Sequence, residues 1–389
     1  MDKVEEPTRQ FDSQTLTPLA RMAAGQEDLR LEGWQAQALS GGYEQGSTVQ
    51  RISGVGEANG ASMPWSLILK TITPTPQNSA SSQASHYWRR EPYYYQTGLL
   101  ADLPAGLRAP RCYAVVEKQG CFQLFLEDLQ DAFSGPGPDH GWPLEYYHTV
   151  GCCLGQFNGA YLAGRAIPAG ECIPRQWLGA YLEEAARIVD LVLETYDHPI
   201  LKRCLRALSP DLVRQAWVQR HEILAALDRL PQVFCHNDAF CRNLFSEHTA
   251  GVERLATVDW SFAGPGALGS DLGPLVSASL GLGTIPFEQG ERLAQFALEG
   301  YLEGLDSAGW CGNPDLVRFG YSTSCFWRYL FGAFIGEMGE YLINKDYYPI
   351  LEQIFGEPVE QLADFIGVWM GWSVPYYHEA MRLKKALKL

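Results

Sequence analysis

Between Val233 and Trp260 the chain sets short apolar runs against polar residues that have no business in a core. Val233-Phe234-Cys235 reads as a strand end that delivers His236-Asn237-Asp238. Leu244-Phe245 and Leu255-Ala256-Thr257-Val258 read as two strands flanking a polar turn at Ser246 to Gly251. Such a hairpin brings Asp259 back beside Asn243. A carboxylate at 238 is placed to take the proton of a substrate hydroxyl, and the oxygens of Asn243 and Asp259 are the hard ligands that magnesium prefers. The spacing points to phosphoryl transfer, whose loose, highly charged transition state asks the protein chiefly to position reactants and neutralise charge.

The pattern H-R-D-x-x-x-x-N of a kinase catalytic loop is met in order and spacing from His236 to Asn243, with Asn237 in place of the arginine. A His-x-Asp with a downstream asparagine also arises by chance in loops. The second acid after a hairpin-sized gap separates the two cases.

A nucleotide site needs a cation upstream. Trp65 to Ile72 is an apolar strand with one lysine, Lys70, near its end, and Glu91 is the candidate partner, carried on a helix expected from Ala84 to Leu100. As surface residues the two would be worth almost nothing as a pair. Ahead of Lys70, Ser40 to Ser47 contains Gly41 and Gly42 in a glycine-rich turn between two strands, where backbone N–H groups can approach phosphates. A plain hairpin uses glycines for geometry alone. The turn matches neither G-x-x-x-x-G-K-[ST] nor G-x-G-x-x-G. Phe122 to Leu129 reads as a strand ending in Glu127 and Asp128, and Gly135-Pro136-Gly137-Pro138 then breaks regular structure where two lobes would join.

These pieces, with Arg90 to Tyr95, Pro110 to Tyr113 and Gly269-Ser270-Asp271-Leu272, resemble the aminoglycoside phosphotransferase and choline kinase-like superfamily, relatives of protein kinases that phosphorylate small molecules. The resemblance covers about residues 40 to 275 and is not specific to any substrate. It implies an α+β, protein-kinase-like two-lobed fold: a small antiparallel-sheet lobe over residues 1–129, with an N-terminal helix, and a large mainly helical lobe over 130–389 with the acceptor cleft. It further implies that Asp238 is the base or orienting carboxylate, that Asn243 and Asp259 hold Mg2+, and that Lys70, held by Glu91, meets the α- and β-phosphates of ATP. Backbone groups at Glu127, Asp128 and Leu129 would meet the purine edge. His236 would be structural and Asp271 would brace the loop. Asn237 and Ala239 depart from the more familiar glycine and small or polar residues, and Cys241-Arg242 stands where many members have proline-glycine. Arg242 contacts a phosphate or caps the loop; both are open.

The chain has 389 residues, 46% of them hydrophobic, enough for a large core. A net charge of −15 argues against nucleic acid or anionic membrane as partner and would suit cationic substrates, although solubility alone also explains an acidic surface. The first residues lack the pattern of a signal peptide, and no apolar run approaches the roughly 20 residues that span a bilayer, so a cytoplasmic protein is expected. The 10 cysteines are scattered without a C-x-x-C pair and read as reduced thiols; oxidation at Cys235 or Cys241 would sit close to the catalytic segment.

Helical periodicity dominates the remainder. Leu144 to Gly164, a helix from Trp177, and one opening on Ser209-Pro210-Asp211 carry apolar positions at three- and four-residue steps, as do Phe287 to Leu302, Leu316 to Leu342 and Glu360 to Leu387. His148 and His221 on these helices read as ordinary packed or surface residues. Thr73 to Ser82 reads as a flexible polar loop. The C-terminal aromatics, from Phe326-Trp327 to Tyr376-Tyr377, are mostly core, with an aromatic acceptor wall as the alternative. Arg328 within that run either pairs with an internal acid or reaches a substrate anion. The expectation is an ATP- and Mg2+-dependent kinase acting on a small-molecule hydroxyl, of a sugar, aminoglycoside, amino alcohol or other natural product. The alternatives are a nucleotide-binding pseudokinase and a non-catalytic binding or scaffold protein. Oligomeric state is left open.

Overall fold

The computed structural model describes residues 11–39, 46–129, 142–249 and 252–389. Gly41 and Gly42, and the Gly135 to Pro138 break, lie outside them. The strands are β1 (Arg30–Leu39), β2 (Ser47–Ala58), β3 (Ala61–Ile72), β4 (Leu107–Arg108), β5 (Cys112–Lys118), β6 (Cys121–Glu127), β7 (Gln232–Cys235), β8 (Leu244–Thr249), β9 (Val252–Thr257) and β10 (Gly264–Ala267).

The small lobe is an antiparallel sheet in the order β1-β2-β3-β6-β5. Two of its hairpins close through two-residue turns, Asn59-Gly60 and Gln119-Gly120, in which both central residues have positive φ, the turn geometry that matches the twist of paired strands. Alternation along β3 divides its residues between two faces. Leu67 and Leu69 pack with Phe125 beneath helix Ser13–Ala24, which is capped by the Asp12 side chain and ended by Gly25. Ile68 and Ile72 pack on the other face with Leu124 and Leu126, and Lys70 shares that face, turned toward the large lobe.

The helix expected from Ala84 to Leu100 is confined to Arg90–Gln96. The cause lies in the residue that opens it. The Arg90 guanidinium donates to the carbonyls of Ser82, Ala84 and Ser85, which a helix would have used in its own ladder. The Thr73 to Ser82 stretch is also more ordered than its composition suggests: Pro76–Ser79 forms one helical turn, with Thr75 and Asn78 capping each other reciprocally.

The large lobe packs helices Tyr146–Leu162, Trp177–Glu194, Pro210–Leu227, Gly290–Ser307 and Val359–Ala386, joined by shorter ones, around one continuous apolar core. Ser209 caps its helix as expected, its side chain accepting from the Leu212 N–H. The Leu316 to Leu342 stretch is not one α-helix. It divides into Pro314–Thr323, a π-helical segment Ser324–Gly336, and Glu337–Ile343. Phe326, Trp327, Trp369 and Tyr377 are core residues rather than an exposed wall. Helices Tyr146–Leu162 and Gly290–Ser307 touch backbone to backbone, since a β-carbon on Gly155 would strike Tyr301 O and one on Gly304 would strike Cys152 O. Among the described residues no helix is long and apolar enough to cross a membrane.

Candidate active site

The sheet of β4, β9 and β8 and the pair β7–β10 carry the residues from 233 to 260. In the β8–β9 hairpin Leu244 faces Thr257, and the Val258 N–H donates to the Asn243 carbonyl at 3.0 Å, which sets Asp259 next to Asn243 as the sequence predicts. Asp238 lies on the same loop: Asn243 Nδ2 donates to its Oδ2 at 2.9 Å and to its carbonyl at 3.0 Å. Lys70 arrives from β3. Its Nζ lies 2.6 Å from Glu91 Oε2 and 2.9 Å from Asp259 Oδ1, so a strand, a helix and the hairpin end converge on one ammonium.

Electrostatics divide the two acids at the centre. Burial opposes ionisation of Asp259, but the adjacent Lys70 outweighs it and brings the carboxyl down to about 2. Burial pushes Asp238 up to about 6, with Arg328 pulling the other way and Asp259 and Glu337 adding to the rise. For Lys70 burial disfavours the ammonium, yet Asp259 and Glu91 together raise its pKa.

Beneath the loop, buried Asp271 accepts from the backbone N–H groups of Asn237 at 2.7 Å and His236 at 3.2 Å. Burial pushes its carboxyl up against those donors and Asn158. Asn158 donates to Phe234 O and to Asp271, and its own oxygen receives the Tyr301 hydroxyl at 2.7 Å. The close helix contact at Gly155 and Gly304 holds Asn158 and Tyr301 in reach of each other. The fully buried His236 stands with Nδ1 accepting from the Asp238 N–H, which leaves Nε2 to donate to Val258 O at 3.1 Å. Burial lowers its pKa to about 4, and it is a neutral structural ring packed on Trp260.

Asn237 and Asp259 both adopt left-handed backbone, with φ of 60° and 61°. Asparagine and aspartate enter that region more readily than other non-glycine residues. This accounts for Asn237 where the loop pattern has arginine and the superfamily has glycine. Its side chain secures the turn by donating to Phe262 O at 3.1 Å.

The remaining expected residues fall as follows. The Glu127 carboxylate is taken by Arg108 and the Arg111 N–H, and Asp128 is paired with Arg51, so contact to a base from this stretch would come from backbone. Leu129 is buried and Arg242 is exposed. Cys235 is fully buried with its thiol pushed well above the usual range, so the oxidation imagined there has no reactive thiolate to start from. None of the 10 cysteines forms a disulfide.

Four residues matter more than their place in the sequence suggests. Arg90 ties the Glu91 helix to the large lobe through Cys172 O and Ser261 O, and Tyr94 adds a hydrogen bond to Ala263 O at 2.6 Å. Asn158 stands inside an apolar helix, where a lone amide beside Phe157 is its signal in the sequence. Arg328, left between two fates, pairs with Asp238 at 3.0 Å.

The donor set suits a hard divalent cation. Asp259 Oδ1 takes Lys70 and Ser261, and Asn243 uses its amide N–H groups on Asp238, which leaves Asp259 Oδ2 and Asn243 Oδ1 as oxygens without hydrogen bonds among the described residues. Two protein oxygens completed by phosphate and water is a common magnesium arrangement.

The fold is of the kinase-like, two-lobed class. Residues 154–311 match the model of APH, the phosphotransferase enzyme family, and the chain resembles the aminoglycoside phosphotransferase and choline kinase-like superfamily. No curated protein matches it. An ethanolamine kinase of Plasmodium vivax is similar with a TM-score of 0.50 at 11% identity, covering 90% of this chain and 85% of that one. An aminoglycoside phosphotransferase of Alicyclobacillus acidocaldarius gives a TM-score of 0.50 at 11% identity, covering 100% and 98%. At these identities the likeness is one of fold.

Proposed function

We propose that this protein transfers the γ-phosphoryl group of Mg–ATP to a hydroxyl of a small molecule. The convergence of Lys70, Glu91 and Asp259 beside the Asp238–Asn243 pair carries the reading. Lys70 is fixed between two carboxylates and presents its charge where nucleotide phosphates would lie. Asn243 Oδ1 and Asp259 Oδ2 would hold magnesium, which neutralises the charge gathering on the transferred group. Asp238 accepts the hydrogen of the acceptor hydroxyl and aims its oxygen at the phosphorus. The new O–P bond forms as the bond to the ADP oxygen breaks, and the hydroxyl proton leaves through the carboxylate.

The partly exposed carboxylates of Glu184 and Glu337 gather around His86 and Tyr181, and the charge of Glu337 reaches Asp238. Within the range of acceptors considered above, they favour one bearing an amine.

Two measurements test the proposal. ATP with magnesium should raise the melting temperature more than ATP alone, because binding to the native state stabilises by mass action. Phosphate transfer from ATP should then appear with a member of a library of hydroxylated metabolites and antibiotics. Absence of any magnesium-dependent nucleotide binding overturns it.

A further inference from the structure

Asp238 is gripped from outside its own loop. Arg328 comes from the π-helical segment Ser324–Gly336, a register uncommon in proteins and frequent at functional sites. It is 5% exposed, in a segment whose Phe326, Trp327, Leu330 and Phe331 are all fully buried. Its Nη2 donates to Asp238 Oδ1 at 3.0 Å, and its Nη1 donates to the Asn237 carbonyl. The guanidinium carbon lies 4.8 Å from the Trp177 ring centroid and 5.3 Å from that of Tyr329, while Nε finds no partner among the described residues.

The other Asp238 oxygen, Oδ2, is held by Asn243. Rotation of a carboxylate about its last bond is soft, and a single donor leaves it so. Two donors arriving at different oxygens, one from the loop and one from a distant helix, remove that freedom. Each oxygen keeps a lone pair for an incoming hydroxyl.

We propose that Arg328 is a positioning residue for phosphoryl transfer, its planar fork fixing both the Asp238 carboxylate and the Asn237 carbonyl so that the acid faces the acceptor in one orientation. This rests on the role given to Asp238 above. A lysine at 328 would supply the charge without the fork, because one ammonium has no rigid second arm to reach the carbonyl. The alternative fate, contact with a substrate anion, finds the guanidinium already neutralised.

The test is steady-state release of phosphate from Mg–ATP, with water standing in for the acceptor, in Arg328→Gln, Arg328→Lys, Asp238→Asn and the double variant Asp238→Asn/Arg328→Gln. Misplacing a reacting group by about 1 Å can cost on the order of 10²-fold, so Arg328→Gln should lower kcat by about that factor while KM for Mg–ATP stays within about twofold. Arg328→Lys should recover part of the loss and remain about tenfold below the parent. With Asp238 already replaced, Arg328→Gln should cost less than about a further twofold, since it has no carboxylate left to aim.

Additive losses in the double variant, a change confined to KM, or parental kcat in Arg328→Lys overturns the proposal. Should Arg328→Gln fail to fold, shown by loss of the Mg–ATP-dependent melting shift, the Arg328→Lys result decides alone. Parental kcat in Asp238→Asn instead removes the role of Asp238 itself, and a loss there without one in either Arg328 variant removes only the role of Arg328.

Discussion

The backbone N–H of Trp260 donates to Glu91 Oε1 at 3.3 Å while Glu91 Oε2 holds Lys70 at 2.6 Å. One carboxylate therefore registers the end of the β8–β9 hairpin against the lysine of the small lobe. Replacing it with alanine strands a buried N–H and leaves Lys70 to Asp259 alone. Glu91→Ala should lower unfolding free energy by about 1–3 kcal/mol, the usual cost of an abandoned buried donor, and weaken Mg–ATP binding. Urea denaturation and nucleotide titration read the two effects, and parental values in both would remove Glu91 from the assembly of the site.

Asp259→Ala removes the more acidic of the two central carboxylates and one of the two free oxygens. Nucleotide affinity measured by calorimetry should become the same with and without magnesium. A magnesium dependence equal to the parent's would assign the metal to other residues.

His236 gives the fold a dependence on acidity. Its folded pKa is depressed to about 4 against an ordinary value near 6.5, so the unfolded chain takes up the proton first. The stability that comes from keeping it neutral is complete above pH 6.5 and is lost as pH falls toward 4. Between pH 7.5 and 5 this amounts to about 2 kcal/mol. His236→Gln, which cannot titrate, should show a pH loss smaller by about that amount in denaturant melts. Equal losses in parent and variant would mean that other groups carry the whole effect.

Asn158→Ala leaves the Tyr301 hydroxyl, Phe234 O and one side of Asp271 short of a partner. A loss of about 1–3 kcal/mol in stability is expected, together with lower kcat and unchanged KM for nucleotide. Stability loss with parental kcat would show that the brace under the loop serves folding alone.

Much of this site was legible because its chemistry is local. His236 to Asn243, and Asp259 after a hairpin, are fixed by short-range spacing, and β3 announces Lys70 by setting one charge in an apolar run. What escaped were partners supplied from far along the chain. Arg328 meets Asp238 across 90 positions, and Asn158 meets Asp271 across 113, separations at which spacing holds no information. The Glu91 helix is shorter than its periodicity implies for a related reason: Arg90 claims the carbonyls of Ser82, Ala84 and Ser85, and a side chain competing for backbone acceptors is invisible to periodicity. The π register of Ser324–Gly336 likewise looks α-helical to any count of apolar steps.

The seam between helices Tyr146–Leu162 and Gly290–Ser307 has a consequence of its own. Where main chains meet without intervening side chains there are no rotamers to rearrange, so the two helices cannot creep past one another as an ordinary interdigitated interface can. Asn158 and Tyr301 ride on that seam and pass its stiffness upward through Asp271. The loop bearing Asp238 is thereby seated on a stiff joint of the large lobe, and warming should loosen the surrounding helices before it slackens the floor of the cleft.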